Sequence, residues 1–267
     1  MDTSDYKLCN ICDPKCKYVD CICPIAWKVF GEKLNTITSN NSKLILDNLR
    51  ISTITLCCNF NINIDMDELM DKYPCKNNGK FYNSAIFNWK TKYQTKLIVS
   101  VKIFPNGKVQ IAGVNTIMSC AYIIRKIMNK LKKFNLDYAE KEPKITGLSI
   151  AMINSDFKIK NALNLINLCK VLTENTINNG GNIATIIYQP VKYPAINLKL
   201  VTDAKLQEYN KHLYTFSSKK KFKGTISVLI FRSGSIIVTG GNDISEYSEI
   251  YSYMLNLFEN NLSKIII

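Results

Sequence analysis

Apolar residues recur along this chain with two periods, every second position in some stretches and every third or fourth in others, and the switch between them marks out its elements. Residues 49–60 and 81–89 read as strands, with a short helix over 66–72 between them. Residues 100–113 read as a β-hairpin and 115–134 as a helix. The second half repeats this order: a strand over 145–153, a helix over 162–172, strands across 183–200, an extra segment over 201–224, a hairpin over 227–240 and a helix over 243–262. Residues 1–42 stand apart, a cysteine cluster and an apolar stretch at 25–30 leading into the polar run 35–43, which reads as a linker.

The two hairpins are copies of one another. Ser100, Val101, Ile103, Phe104, Gly107 and Gly113 recur as Ser227, Val228, Ile230, Phe231, Gly234 and Gly240, and each copy is followed at once by a helical pattern. A unit of strand, turn, strand and helix that occurs twice predicts a pseudo-symmetric fold. In the first helix Ala121, Ile124, Ile127, Met128, Leu131 and Phe134 fall on one face, and Arg125, Lys126, Lys130, Lys132 and Lys133 on the rest, so a core stripe backs onto a basic surface. The second helix opens with a capping-box pattern, Asp243 and Glu246, and turns Tyr247, Ile250, Tyr251, Met254, Leu257 and Phe258 inward.

Side chains alternate across a strand, which assigns every hairpin residue to a face. Val101, Ile103, Val109 and Ile111, with Val228, Ile230, Ile236 and Val238, are the positions to pack beneath the helices. The other face carries Ser100, Lys102, Phe104, Gln110 and Ala112 in one copy and Ser227, Leu229, Phe231, Ile237 and Thr239 in the other. A phenylalanine therefore stands on the non-core face twice. Residues 1–42 are one available cover for it; the mixture of Lys102, Gln110 and Ser100 around Phe104, and the commitment of both long helices to the opposite face, favour an open surface awaiting a partner.

These stretches resemble the TATA-binding proteins, over roughly 44–267 apart from 201–224. The hairpins, Ser52-Thr53-Ile54-Thr55-Leu56-Cys57-Cys58, and Tyr188-Gln189-Pro190-Val191-Lys192-Tyr193-Pro194-Ala195-Ile196 follow the family's pattern in order. The divergence resembles that of a remote member carried by a large DNA virus. The resemblance implies an α+β fold, two repeats (43–136 and 137–267) forming one curved antiparallel sheet, a saddle, with helices on its convex face. It also implies minor-groove binding with apolar wedges between base steps, a mode for which these proteins are themselves the reference case. Carried over by position, the wedges would be Phe231 with Tyr193, and Phe104 with Phe81, or Tyr82 if the alignment shifts by one. The floor would be Ile51, Thr53, Ala112, Ile150, Leu229, Ile237 and Thr239, while Lys108 and Lys199 would reach phosphates. The implied partners are AT-rich promoter DNA, a transcription-factor-IIB-like protein and RNA polymerase machinery, inside the cell, in the host nucleus or a cytoplasmic viral factory, or packaged in the virion. Leu49 and Leu148 occupy the positions of the family's two central asparagines, and Asn48, one residue away, points to the opposite face. Bending of DNA is thus implied without strict preference for a TATA sequence. The rival reading is a saddle that docks a protein, or binds nucleic acid without sequence preference.

Composition changes this picture only at the margins. Apolar residues make up 46% of 267 residues, enough for a large core, and the net charge of +14 suits an acidic partner. Lys, Asn and Ile are all abundant, as AT-rich codons would produce, so the charge counts for half its face value. No apolar run approaches the ~18 residues of a membrane span. Ten cysteines without a secretion signal read as reduced thiols or metal ligands. Cys9, Cys12, Cys21 and Cys23, with Cys16 between, form CxxC followed by CxC; such pairs can complete a tetrahedral zinc site, the alternatives being a tail of reduced thiols or disulfides after oxidation. The saddle itself requires no cofactor. Cys57, Cys58, Cys75, Cys120 and Cys169 read as small core residues. Catalysis finds no support: the single histidine, His212, excludes histidine-activated nucleophiles elsewhere, Asp65, Asp67 and Glu68 suit a helix start, and Gly180-Gly181 is too sparse for a phosphate loop. The run 219–223, interrupted by Phe222, suits either the DNA backbone or a solvated loop.

Overall fold

The computed structural model describes residues 49–73, 75, 83–90, 98–115, 117–134, 145–179, 182–214, 222 and 224–267. Its elements are β1 (Arg50–Asn59), α1 (Met66–Lys72), β2 (Ala85–Lys90), β3 (Ile98–Ile103), β4 (Lys108–Val114), α2 (Ile117–Phe134), β5 (Thr146–Lys158), α3 (Leu165–Asn179), β6 (Ile183–Ile187), β7 (Ala195–Leu200), α4 (Asp203–Tyr214), β8 (Ile226–Phe231), β9 (Ser235–Thr239), α5 (Ile244–Asn260) and α6 (Leu262–Ile265). The strands follow the order β2-β3-β4-β1-β5-β9-β8-β7-β6, so the α+β class and the single antiparallel sheet are as expected. The described residues fall into two compact units, one within Thr53–Ala151 and the other holding 49–52 with Met152–Ile267. The division cuts β1 and β5, so each unit takes in the start of the other repeat's first strand.

In the first unit β2, β3, β4 and β1 pair in antiparallel register. Beneath them pack Leu56, Val101, Ile103, Val109 and Ile111 against Ile123, Ile124, Ile127 and Leu131 of α2, all buried. Asp65 caps α1, its carboxylate accepting from the N–H groups of Asp67 and Glu68 at 3.0 and 3.1 Å. Arg125, Lys126 and Lys130 leave α2 on its outer side, where Lys126 Nζ lies 5.1 Å from the Trp89 ring and Lys130 Nζ 4.0 Å from that of Tyr73. Burial, and then the charge of Lys130, hold the Lys126 ammonium below its ordinary pKa.

The second unit pairs β5, β9, β8, β7 and β6. Val228, Ile230, Ile236 and Val238 are buried together with Tyr247, Ile250, Tyr251, Met254, Leu257 and Phe258 of α5. The Tyr247 hydroxyl accepts from the Gly241 N–H at 3.0 Å and donates to the Ile153 carbonyl, which explains how a phenol is tolerated there. Three features differ from the sequence reading. β5 runs on past 153 because Ser155, though polar and buried, bonds the Val238 carbonyl, and Asn154 and Asp156 turn to the open face. The helix expected over 162–172 instead begins at Leu165, after Asn164, whose side chain accepts from the Asn167 N–H. Glu246 forgoes the reciprocal bond of a capping box: it ion-pairs with Lys205 of α4, a helix the sequence did not reveal inside 201–224, and its other oxygen is buried without a partner. Asp243 still caps α5 through the Ser245 N–H at 3.1 Å.

The hairpin turns repeat in detail. Gly107 (φ +73) donates to the Phe104 carbonyl and accepts from the Phe60 N–H, while Gly234 (φ +80) donates to Phe231 and accepts from the Ile159 N–H. A Cβ at Gly107 would lie 2.4 Å from the Ile62 carbonyl oxygen, and one at Gly234 2.2 Å from that of Ile159. Both conformation and close approach therefore require glycine.

Candidate nucleic-acid interface

Pairing register fixes which side chains share the face opposite the helices, because directly paired residues point the same way. In the first unit one row across the strands reads Ile86, Lys102, Gln110, Cys57, and the next reads Asn88, Ser100, Ala112, Thr55. In the second unit the corresponding rows read Asn197, Leu229, Ile237, Asp156, and Lys199, Ser227, Thr239, Asn154. Lys102, Phe104, Gln110 and Ala112, with Leu229, Phe231, Ile237 and Thr239, are each partly exposed, whereas Val101, Ile103, Val109, Ile111, Val228, Ile230, Ile236 and Val238 between them are buried. The alternation read from the sequence holds in both copies.

The structure brings Phe231 and Tyr193 together. Tyr193, in the turn between β6 and β7, is 46% exposed, and its ring meets that of Phe231 edge-on with centroids 6.1 Å apart. Beneath the pair lies Ala195, opposite Phe231 in the register and nearly fully buried. Phe104 holds the equivalent place in the first unit, partly exposed beside a recess of about 480 Å³ lined by Cys57, Asn59, Lys108, Gln110 and Thr146. Phe81 and Tyr82 lie outside the described residues. The register nevertheless bears on which corresponds to Tyr193. Ala85 pairs with Ile103 as Ile196 pairs with Ile230, so along the sequence Ser84 is the counterpart of Ala195. Tyr193 precedes Ala195 by two positions, and Tyr82 precedes Ser84 by two.

The remaining expected positions divide. Ile51 and Thr53 on β1 are partly exposed, and Lys108 is exposed at the start of β4. Lys199 is half-buried, its ammonium 3.5 Å from the Ser227 hydroxyl. Ile150 departs from the expectation of an open floor residue, since only 8% of it is exposed. Leu49 is likewise buried and Leu148 partly so, which suits the apolar residues found there. Two polar features were not anticipated. Arg50 Nη2 lies 2.8 Å from Asp156 Oδ2, so the carboxylate in the Asn197–Asp156 row is met by a guanidinium. Thr239 Oγ1 donates to Asn154 Oδ1, tying together the two residues at the end of the neighbouring row.

Cys58 is buried and its thiol is pushed up to about 12, by burial first and by Cys57 second; Cys57, half-buried on the open face, is also raised by burial. Neither has the depressed pKa of a reactive thiol. Cys120 is buried as expected of a core residue, and Cys75 and Cys169 are partly so. Among the described residues no three His, Cys, Asp or Glu side chains converge as a metal site would require. Cys9, Cys12, Cys16, Cys21 and Cys23 lie outside those residues, as does the linker at 35–43. No helix among the described residues is long and apolar enough to cross a membrane.

Comparison with known proteins points one way. Residues 48–134 match the family model described as transcription factor TFIID, or TATA-binding protein. A TATA-box-binding protein-like protein of Acanthamoeba polyphaga mimivirus is 24% identical over 82% of this chain and 67% of its own length. TATA-box-binding protein 3 of Methanosarcina acetivorans is 27% identical over 52% of this chain and 57% of its own. The solved structure of Methanococcus jannaschii TBP superposes with a TM-score of 0.54 at 18% identity, over 80% of this chain and 99% of that one, a likeness of fold.

Proposed function

The chain is a divergent TATA-binding-protein-like protein of the kind a large DNA virus carries, and on that premise we propose that this transcription factor binds and bends AT-rich promoter DNA through the minor groove. The observation that supports this reading best is the Phe231–Tyr193 pair on the open face, with Phe104 at the matching place in the other copy. Flat apolar rings at the end of a partly exposed sheet row can enter between base steps, where unstacking is offset by the surface that the bent duplex then covers. Lys108 and Lys199 would supply phosphate contacts, which position the protein without reading sequence. Tyr82 is the fourth wedge in this reading.

The test is a bending assay by fluorescence transfer between duplex ends, with Phe104→Ala, Phe231→Ala and Tyr82→Ala compared with Phe81→Ala. Loss of a stacked ring should weaken binding roughly 5- to 100-fold per site, in line with base–aromatic stacking of about 1–3 kcal/mol. Phe104 and Phe231 variants that bend and bind like the parent would sink the wedge mechanism. A protein-docking role for the same face is favoured by the partly exposed Asp156 carboxylate, which does not suit a duplex; competition between DNA and a transcription-factor-IIB-like or polymerase partner for one surface would support it. The zinc reading of Cys9, Cys12, Cys21 and Cys23 belongs to the proposal too. Metal analysis of the full chain should find one zinc, lost on Cys9→Ser with Cys12→Ser.

A further inference from the structure

Asn197 is the least expected side chain on the open face. It stands mid-strand on β7 between two aliphatic partners, Ile187 on β6 and Leu229 on β8, and Ile237 follows Leu229 in the same row. Asparagine is disfavoured within strands, and this one gains nothing locally: its Oδ1 is buried without a hydrogen-bond partner. A valine or leucine would suit the row better on every local count. The residue is nonetheless partly exposed, so with Oδ1 covered, the end of the amide left to the open face is the Nδ2 donor. A polar group held against local preference, with a donor turned to a binding face, marks a ligand contact.

We propose that Asn197 is a base-reading residue, donating from Nδ2 to an adenine N3 in the minor groove. The inference rests on the duplex reading given above and deepens it. The minor groove offers such acceptors at every pair and a donor only at guanine, so an amide N–H outward is the orientation it rewards. Asn197 lies two residues from Ala195, whose neighbour across the strands is Phe231, and so the donor falls one row in from the wedge pair. It replaces the polar readout that Leu49 and Leu148 have lost, at a different place: in one repeat only, beside its wedge. The corresponding position in the first unit, Ile86 opposite Lys102, carries no such amide.

The experiment uses the full chain and its best duplex from random-library selection, with 3-deazaadenine, which lacks the N3 acceptor, placed singly along both strands. One position near the Phe231 wedge should weaken the parent about five- to tenfold, the worth of a single hydrogen bond. Asn197→Leu should bind the unmodified duplex weaker by a similar factor, lose all response to that position, and melt no lower than the parent. If Asn197→Leu matches the parent in affinity, or keeps its response to 3-deazaadenine, the proposal falls while the wedge reading stands. If the parent shows no duplex binding that depends on Phe104 and Phe231, both fall together.

Discussion

Cys58 and Tyr247 make the protein's stability depend on alkaline pH. Both are buried and both have raised pKa values, Cys58 from an ordinary 9.0 to about 12 and Tyr247 upward from 10.0 through burial despite its bond to Gly241. A group raised in the folded state keeps its proton after the unfolded chain has lost its own. The stabilising difference is therefore intact below pH 9 and fades as pH climbs from 9 toward 12. Urea unfolding at successive pH values should show stability falling by at most about 1.4 kcal/mol per pH unit per group. Cys58→Ala should make the fall shallower, though it lowers stability throughout by emptying a packed site. Tyr247→Phe should cost about 1–2 kcal/mol near neutral pH, because it strands the Ile153 carbonyl that the hydroxyl serves. A stability profile flat from pH 8 to 11 would contradict this account.

The inserted helix α4 is attached by polar contacts rather than by an apolar stripe. Its first residue, Asp203, gives its N–H to the Glu249 carboxylate at 2.8 Å and receives the Asn182 amide at 2.7 Å, and Lys205 pairs with Glu246. None of the side chains described in α4 is fully buried. Lys205→Ala would leave Glu246 charged and largely enclosed, at a cost of about 2 kcal/mol, less than for a wholly buried pair because Lys205 is 32% exposed. Hydrogen exchange across 203–214 should then rise well before that of α5, and Lys205→Met with Glu246→Gln should recover most of the loss. This attachment also explains what the sequence left hidden. Hairpin faces were legible because burial enforces a period of two, and α2 and α5 because it enforces a period near 3.6. A helix held by carboxylates on a neighbour imposes neither period. Asn197 carries a signal in the sequence itself: in Ala195-Ile196-Asn197-Leu198-Lys199-Leu200, the alternation places the amide opposite the buried Ile196, Leu198 and Leu200.

For the molecule as a whole, the charge of +14 is a statement about salt. Under the proposed function, the logarithm of affinity should fall with the logarithm of salt concentration at a slope of about −0.9 per phosphate neutralised. Lys108→Ala and Lys199→Ala should each reduce that slope by about one, leaving the dependence on base analogues untouched. An unchanged slope in both would remove these lysines from the interface. The pseudo-symmetry was legible because both turns need glycine and both hairpins keep their phenylalanine. Chemical inequality between the copies was legible only in part, since Asp156 and Asn197 gained meaning when the register set them in one row. That row and its counterpart, Ile86-Lys102-Gln110-Cys57, nearly exchange polar for apolar position by position. Two equal copies could not tell the ends of a near-palindromic promoter apart. Under the proposed function, two copies this unlike would hold such a promoter one way round, and so would settle which strand is copied and which gene lies downstream.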